Sequence, residues 1–385
     1  PDGGKGVPHV AKGWTSNDDF SQWTINLRAG MKWSDGAPLT ADDIMFWYES
    51  ILGNAELIPS TPLWMQNSDG SVAKVEKMSD TAVRWSFDQP NTAFLLALAG
   101  QDGADKSIQN LVFAPGHYLK QFHPDFTNEA DLNAKVSAAG FDVWTQLFSV
   151  EALPHLSGNR PSTAAWVPAN GTTVADDTFV IERNPYYFAV DAEGNQLPYI
   201  DHVKFKFFAD KETLNLAAVG GQIDMQGRHL AMSNFPVLME NSDKGGYRVI
   251  TYPTFGGSDA VIVFNQTYTN DEAIGDILRN KDFRIALSHS IDRDAIKELA
   301  FLGIGEARQG VPAPFHPFYP GDEYAFKYTQ LDTTISNDLL DGIGLTARDG
   351  DGYRLLPNGD RLDIEISVVP AFASWADIGQ LVVED

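Results

Sequence analysis

Hydrophobic and polar positions change rhythm three times in the stretch TINLRAGMKWSDGAPLTADDIMFWYESI, which begins at Thr24. Its first five residues alternate between polar and apolar, which predicts a half-buried strand. The Ser-Asp-Gly triplet at 34–36 predicts a tight turn. Thr40 is typical of a helix N-cap, and apolar residues recur at helical spacing over 44–51 before Gly53. We therefore predict a strand, a turn and a capped helix.

The same periodicities predict a mixed α/β chain. Strands alternate with helices in the second half of the sequence, which indicates an α/β layer. The continuously apolar run at 260–264 is typical of a strand buried on both faces. The predicted strands cover 83–87, 179–182, 203–208, 247–252, 260–264 and 360–369. The predicted helices cover 143–148, 211–219, 283–287, 292–302 and 375–382.

Composition and charge exclude several classes of function. The chain carries 28 Lys and Arg against 52 Asp and Glu, a net charge of −24. Such a surface repels phosphate backbones, so we predict no nucleic-acid partner and no docking on anionic membranes. No apolar stretch reaches the roughly 20 residues that span a bilayer. The chain has no cysteine, which rules out disulfides, thiolate metal sites and cysteine nucleophiles.

Common catalytic and metal-binding motifs are missing from the sequence. The eight histidines form no H-E-x-x-H pair, and no Walker A or G-x-S-x-G motif occurs. Residues 349–352 begin like a calcium loop, but Arg354 and Asp360 stand where such a loop needs Gly and a bidentate Glu. We predict a surface β-hairpin there, with turns at 351–352 and 358–359. No cofactor, metal site or catalytic residue is predicted.

Several motifs resemble one family. Residues 23–36, followed by Leu-Thr-Ala-Asp-Asp at 39–43, resemble the signature of extracellular solute-binding proteins of family 5, the oligopeptide, dipeptide and nickel type of ABC importer. The motifs ERNPYY, GQIDM and FRIALSHSIDR, at 182–187, 221–225 and 283–293, are similar to further elements of that family and follow in its order. VDAEGNQLPYID, from 190 to 201, resembles a sub-branch of oligosaccharide, opine and peptide binders.

The resemblance implies a fold and a function. The expected fold is α/β, the two-lobed periplasmic binding protein fold of type II-like topology with an extra subdomain. The expected protein is a monomeric periplasmic or lipid-anchored receptor, not an enzyme. It would capture a small hydrophilic solute, an oligopeptide, oligosaccharide or opine, between two lobes and deliver it to an ABC permease in the inner membrane.

The family pattern also divides the chain. Residues 1–164 are predicted to form a subdomain of meander and helices attached to the first lobe. Residues 165–264 would be the α/β core of that lobe, and 265–385 an incomplete second lobe. Because neither end matches an end of the family pattern, we expect the chain to be an internal fragment, truncated at both ends.

Five residues are predicted to line the solute site. Trp64, Trp166 and Phe255 lie in turn-rich sequence, and exposed rings there could stack on a ligand. Gly256 would let the backbone approach a ligand closely. Asn265 directly follows the apolar run at 260–264, which is expected to be one of the hinge strands between the lobes. The alternatives are burial of the rings in a core, and hydrogen bonds from the Asn265 amide to the hinge backbone.

Two other functions stay open at this point. The acid-rich and aromatic-rich composition suits a carbohydrate-active hydrolase, which would need two carboxylates roughly 5 to 10 Å apart across a cleft. A receptor of the same fold could also sense a solute without transporting it.

Overall fold

The computed structural model describes residues 6–99, 108–252, 257–369 and 375–384. The chain divides into two compact units, one ending at Phe207 and the other beginning at Phe208. The predicted three-part division, with boundaries after 164 and 264, stays a prediction. No helix in the described ranges is long and apolar enough to cross a membrane.

The first unit opens with an antiparallel sheet. Its strands are β1 (Ala11–Ser16), β2 (Gln22–Leu27), β3 (Lys74–Ser79) and β4 (Ala82–Ser86), in the order β1-β2-β4-β3. Trp23 pairs with Trp85 across the ladder between β2 and β4, and both side chains turn into the core. The alternation of apolar positions therefore predicted β2 and β4 correctly.

The helix after the tight turn begins where the sequence predicts. The Thr40 side chain caps the first turn, and the Asp43 carboxylate accepts a hydrogen bond from the Thr40 backbone N–H at 3.0 Å. Helix α1 (Ala41–Phe46) then continues as a π-helical segment, Trp47–Leu52, up to Gly53. The helix and its two ends are confirmed, whereas the change of winding inside it was not predicted.

Aromatic rings build the core of the first unit. Trp33, Trp47, Trp85 and Phe148 are at most 1% exposed, so much of the aromatic content serves packing, because such rings bury large apolar areas. The helices around this core are α2 (Phe94–Ala99), α3 (Gly116–Leu119), α4 (Glu129–Ala138) and α5 (Trp144–Ala152).

A second antiparallel sheet closes the first unit. Its strands are β5 (Trp166–Pro168), β6 (Thr178–Arg183) and β7 (His202–Lys206), paired in that order. The fully buried Asn184 follows β6. Its side-chain amide donates to the carbonyl of Ala164 at 2.9 Å, and its carbonyl oxygen accepts from the Tyr186 N–H at 2.9 Å. The Asn-Pro-Tyr motif thus fastens the end of β6 to the chain before β5.

The second unit is mainly helical in its described residues. The helices at Lys281–Ser290 and Thr333–Gly342 pack against each other, and their core contains the fully buried Phe283 and Leu345. The helices are α6 (Lys211–Val219), α7 (Phe235–Gly245), α8 (Glu272–Arg279), α9 (Lys281–Ser290), α10 (Arg293–Phe301), α11 (Asp322–Ala325), α12 (Thr333–Gly342) and α13 (Trp375–Glu384). The helices predicted from the sequence in this unit are confirmed.

Several predicted strands of the second unit are wrong. Residues 247–252, 260–264 and 362–369 form no strand, and the GQIDM segment at 221–225 is also irregular. Val263, predicted to be buried on both faces, is 84% exposed. An extended apolar segment becomes a strand only where a neighbour supplies a hydrogen-bonding partner, and in the described residues none pairs with these segments.

The predicted hairpin is confirmed. Isolated bridges pair Arg348 with Arg354 and Leu355 with Arg361. The turns between them place Gly352 and Gly359 at φ of 91°, a conformation that favours glycine.

Candidate functional site

A group of polar side chains surrounds Trp33 in the first unit. The turn at 33–36 supplies Trp33 itself, α3 supplies Tyr118, the end of α5 supplies Glu151, and the loop after α5 supplies Arg160. We call this set the Trp33 cluster. Its members come from segments far apart in sequence, so no short motif could reveal it.

Trp33 is anchored by a buried carboxylate. Its indole Nε1 donates to Oδ2 of Asp43 at 3.2 Å, and both residues are buried. Burial raises the pKa of the Asp43 carboxyl, although the hydrogen bonds from Thr40 and Trp33 oppose this shift. The carboxylate therefore orients the ring while it also caps α1.

Arg160 lies over the Trp33 ring, with its guanidinium carbon 6.0 Å from the ring centroid. The residue is only 5% exposed. Its Nη1 donates to the carbonyl of Pro161 at 2.9 Å, and its buried Nε has no hydrogen-bond partner. Burial lowers the pKa of the guanidinium to about 10.

A carboxylate in the cluster is already occupied by hydroxyl donors. Glu151 Oε2 accepts from the Tyr118 hydroxyl at 2.5 Å and from the Ser157 hydroxyl at 2.6 Å. Burial, together with the Glu151 bond, raises the pKa of the Tyr118 phenol well above its usual range. The two neutral hydroxyl groups thus donate to one carboxylate. These hydrogen bonds position the loop after α5, which contains Ser157.

The exposed edge of the cluster carries a histidine-carboxylate pair. His117 Nε2 lies 2.8 Å from Asp35 Oδ2, and the His117 ring is 6.2 Å from that of Trp33. Asp35 also holds its own turn, since Oδ1 accepts from the Ala37 N–H at 3.0 Å. Taken together, the cluster offers hydrogen-bond donors, one buried cation and an aromatic face. Those features suit recognition of a polar group.

The structure places Trp64 and Trp166 in different settings. Trp64 stacks on Trp47 with ring centroids 5.9 Å apart and packs against the core, with its buried Nε1 unbonded. Trp166 lies on the edge strand β5, half-buried, and its Nε1 donates to the carbonyl of Ile200 at 2.9 Å. The role of the two rings in solute binding stays a prediction.

The remaining predicted site residues belong to the second unit. Phe255 and Gly256 lie outside the described residues. Asn265 is exposed, and its side-chain oxygen accepts from the backbone N–H and hydroxyl of Thr267 at 3.1 and 3.0 Å. The side chain of Asn265 thus holds a local turn. Contact between Asn265 and a solute stays a prediction. Arg160 was not singled out from the sequence because its Gly- and Pro-flanked context indicates only a loop.

Two acidic side chains of the hairpin at 348–361 lie close together. Arg361 binds both, with Nη2 2.5 Å from Asp349 and 3.0 Å from Asp351. Because Arg361 neutralises both carboxylates, they do not present the free acid and base that glycoside hydrolysis needs. In the described ranges, no group of three or more His, Cys, Asp or Glu side chains is arranged to hold a metal ion.

Comparison with solved structures defines the class of protein. A structure described as the oligopeptide-binding protein OppA aligns with 100% of this chain and 58% of its own chain, with a TM-score of 0.68 and 37% identity. The periplasmic binding protein MelB from Agrobacterium fabrum C58, in complex with stachyose, aligns over 97% of this chain and 54% of its own, with a TM-score of 0.65 and 24% identity. The second likeness concerns the fold alone. These neighbours confirm the predicted two-lobed α/β class of periplasmic binding proteins.

Sequence comparison then gives the family. Residues 5–385 match the profile described as "Bacterial extracellular solute-binding proteins, family 5 Middle", and the chain belongs to this family. It is 28% identical over 384 residues to the periplasmic alpha-galactoside-binding protein of Rhizobium meliloti, covering 94% of this chain and 49% of that protein. It is 39% identical over 315 residues to the periplasmic oligopeptide-binding protein OppA of Haemophilus influenzae, covering 81% and 49%. The chain spans about half the length of these curated relatives.

Proposed function

We propose that the protein is the substrate-binding component of an ABC importer. It captures a small hydrophilic solute, an oligopeptide, an oligosaccharide or an opine-like compound, outside the inner membrane and delivers it to a permease. The observation that carries this proposal is the family match over residues 5–385. The relatives named above are binding proteins for oligopeptides and alpha-galactosides, which supports a binding role rather than catalysis.

The proposed setting follows from the same relatives. They are periplasmic, so we place this protein in the periplasm. It would work there as a monomer, either free or held by a lipid anchor. The net charge of −24 supports a partner that is not a nucleic acid. The two solute classes differ in charge, because a free peptide carries a carboxylate and an ammonium whereas stachyose-like sugars are neutral.

Five residues remain our candidates for solute contact: Trp64, Trp166, Phe255, Gly256 and Asn265. Trp166 is favoured among the described ones because its half-buried ring lies on an edge strand and uses only its N–H in a protein hydrogen bond. Aromatic faces in such positions bind both sugar rings and apolar peptide side chains.

A thermal-shift panel tests the proposal. The intact protein is heated with oligosaccharides, short peptides or opine-like amino-acid conjugates at 100 times the expected dissociation constant. A bound solute then stabilises the fold by about 2.7 kcal/mol, which shifts the unfolding midpoint upward. A shift with one chemical class identifies the solute class, and a flat response with all three contradicts the proposal.

A further inference from the structure

Arg160 carries a buried positive charge that the described chain does not neutralise. Its side chain is 5% exposed, and no ion pair joins it to a carboxylate among the residues that the structure describes. A guanidinium has five N–H donors. In this fold Nη1 makes one hydrogen bond, to Pro161, and Nε makes none.

The surroundings of Arg160 compensate this charge only in part. The Trp33 ring offers its electron-rich face at 6.0 Å, which is near the outer limit for a cation–π interaction. The acid of the cluster, Glu151, already accepts hydrogen bonds from Tyr118 and Ser157. A buried charge without a partner is costly, and buried donors in proteins are normally hydrogen-bonded.

Two serines close to Trp33 and Arg160 in the sequence carry further hydroxyl donors. Ser34 Oγ accepts from the Ser162 N–H at 3.0 Å, and Ser162 Oγ accepts from the Ala164 N–H at 3.1 Å. Each hydroxyl hydrogen is therefore available to a further acceptor. Both serines adjoin the ring and the guanidinium in sequence, Ser34 directly after Trp33 and Ser162 two residues after Arg160.

We propose that Arg160 is the centre of a small-anion site, in which a singly charged anion binds the Nε side of the guanidinium beside the Trp33 ring. The anion is a halide from solvent, since a halide presents a compact acceptor to N–H donors. The slight exposure of Arg160 excludes bulky anions. The site is independent of the solute-transport proposal and stands without it.

Anion-dependent stability of the intact protein tests this site. The unfolding midpoint is measured from 1 to 100 mM sodium bromide, with the sodium salt of a bulky sulfonate keeping the ionic strength constant. The midpoint of the native protein is expected to rise with bromide concentration. Arg160→Met removes the charge but keeps a long side chain, and its midpoint should not respond to bromide.

Arg293→Met is the matched control. Arg293 is half-buried, whereas Arg160 is buried, and the Arg293 guanidinium donates to the Ser288 carbonyl at 2.7 Å and to the Ser288 hydroxyl at 2.8 Å. This variant should lose stability equally at every bromide concentration and keep the bromide response. A bromide response that survives in Arg160→Met, or is absent from the native protein, overturns the proposal.

Crystals of the native protein soaked in bromide give a readout that needs no variant. An anomalous peak is expected within hydrogen-bond distance of Arg160. A peak without Arg160-dependent stabilisation means an adventitious ion only, and it contradicts the proposal as firmly as no peak.

Discussion

At the scale of single residues, buried polar side chains stabilise the first unit by hydrogen bonds to its backbone. His123 is fully buried, and its Nε2 lies 3.0 Å from the carbonyl of Ser50 in the π-helical segment. Its Nδ1 accepts from the Asp125 N–H at 3.2 Å, so the neutral ring with its hydrogen on Nε2 satisfies both partners. The histidine thus supplies a donor to a carbonyl inside the irregular part of the helix.

Stability of the first unit should therefore fall with acidity. Burial lowers the pKa of His123 below its usual 6.5, although the Ser50 bond and Asp125 oppose this. The unfolded chain consequently binds a proton at a pH where the folded chain does not. The His123 contribution is complete above about pH 6.5 and is lost as the pH falls through the lower folded pKa.

The unfolding midpoint measured between pH 7.5 and 5.5 checks this prediction. His123→Gln should flatten the loss of stability over that range. The exposed His202 provides the control, because His202→Gln should leave the slope unchanged. An unchanged slope in His123→Gln would show that other groups cause the pH dependence.

Trp64 allows a second test at this scale. Its ring stacks on the fully buried Trp47 and lies 6.3 Å from the ring of Phe94. Because these contacts belong to the core, Trp64→Ala should lower the free energy of unfolding by about 2 kcal/mol. Urea denaturation measures that loss. If Trp64→Phe keeps stability but weakens solute binding, the ring contacts the solute as the sequence prediction has it.

At the scale of elements, the sequence predicts best where structure is decided locally. The strand, turn and capped helix from Thr24 onward depend on alternation, a Gly turn and the Thr40 cap, all of which lie within a few residues. The apolar run at 260–264 has strand composition, but strand formation requires a partner from elsewhere in the chain. Arg160 was missed for the same reason, since Trp33 lies 127 positions before it.

Close backbone approach sets a further requirement on the loop after α5. A Cβ added to Gly158 would lie 2.3 Å from the carbonyl oxygen of Gly171, which is backbone and cannot yield as a side chain can. Gly158→Ala should therefore lower the free energy of unfolding by more than about 1 kcal/mol. Gly13→Ala is the matched control, because nothing lies within 4 Å of a Cβ there.

Thermal or urea unfolding of the two variants gives the comparison. Equal stability of Gly158→Ala and Gly13→Ala would mean that the loop yields easily. A destabilised Gly158→Ala whose bromide response persists would separate packing of the loop from the charge on Arg160.

At the scale of the whole molecule, sequence motifs gave the fold class and the family, and the comparisons confirm both. The solute contacts are harder to predict, because they depend on side chains that distant segments bring together. Trp64 and Trp166 illustrate this, since similar turn-rich sequence places one ring against a core and the other on a sheet edge.

The most direct test of the central claim is solute uptake by cells. The solute class found in the thermal-shift panel is supplied in labelled form to the parent strain, to a strain lacking this protein, and to that strain complemented with the gene. We predict that uptake is lost on deletion and restored by complementation, and that removing the permease has the same effect. Unchanged uptake in the deletion strain, with the solute still bound by the purified protein, would contradict a role in import.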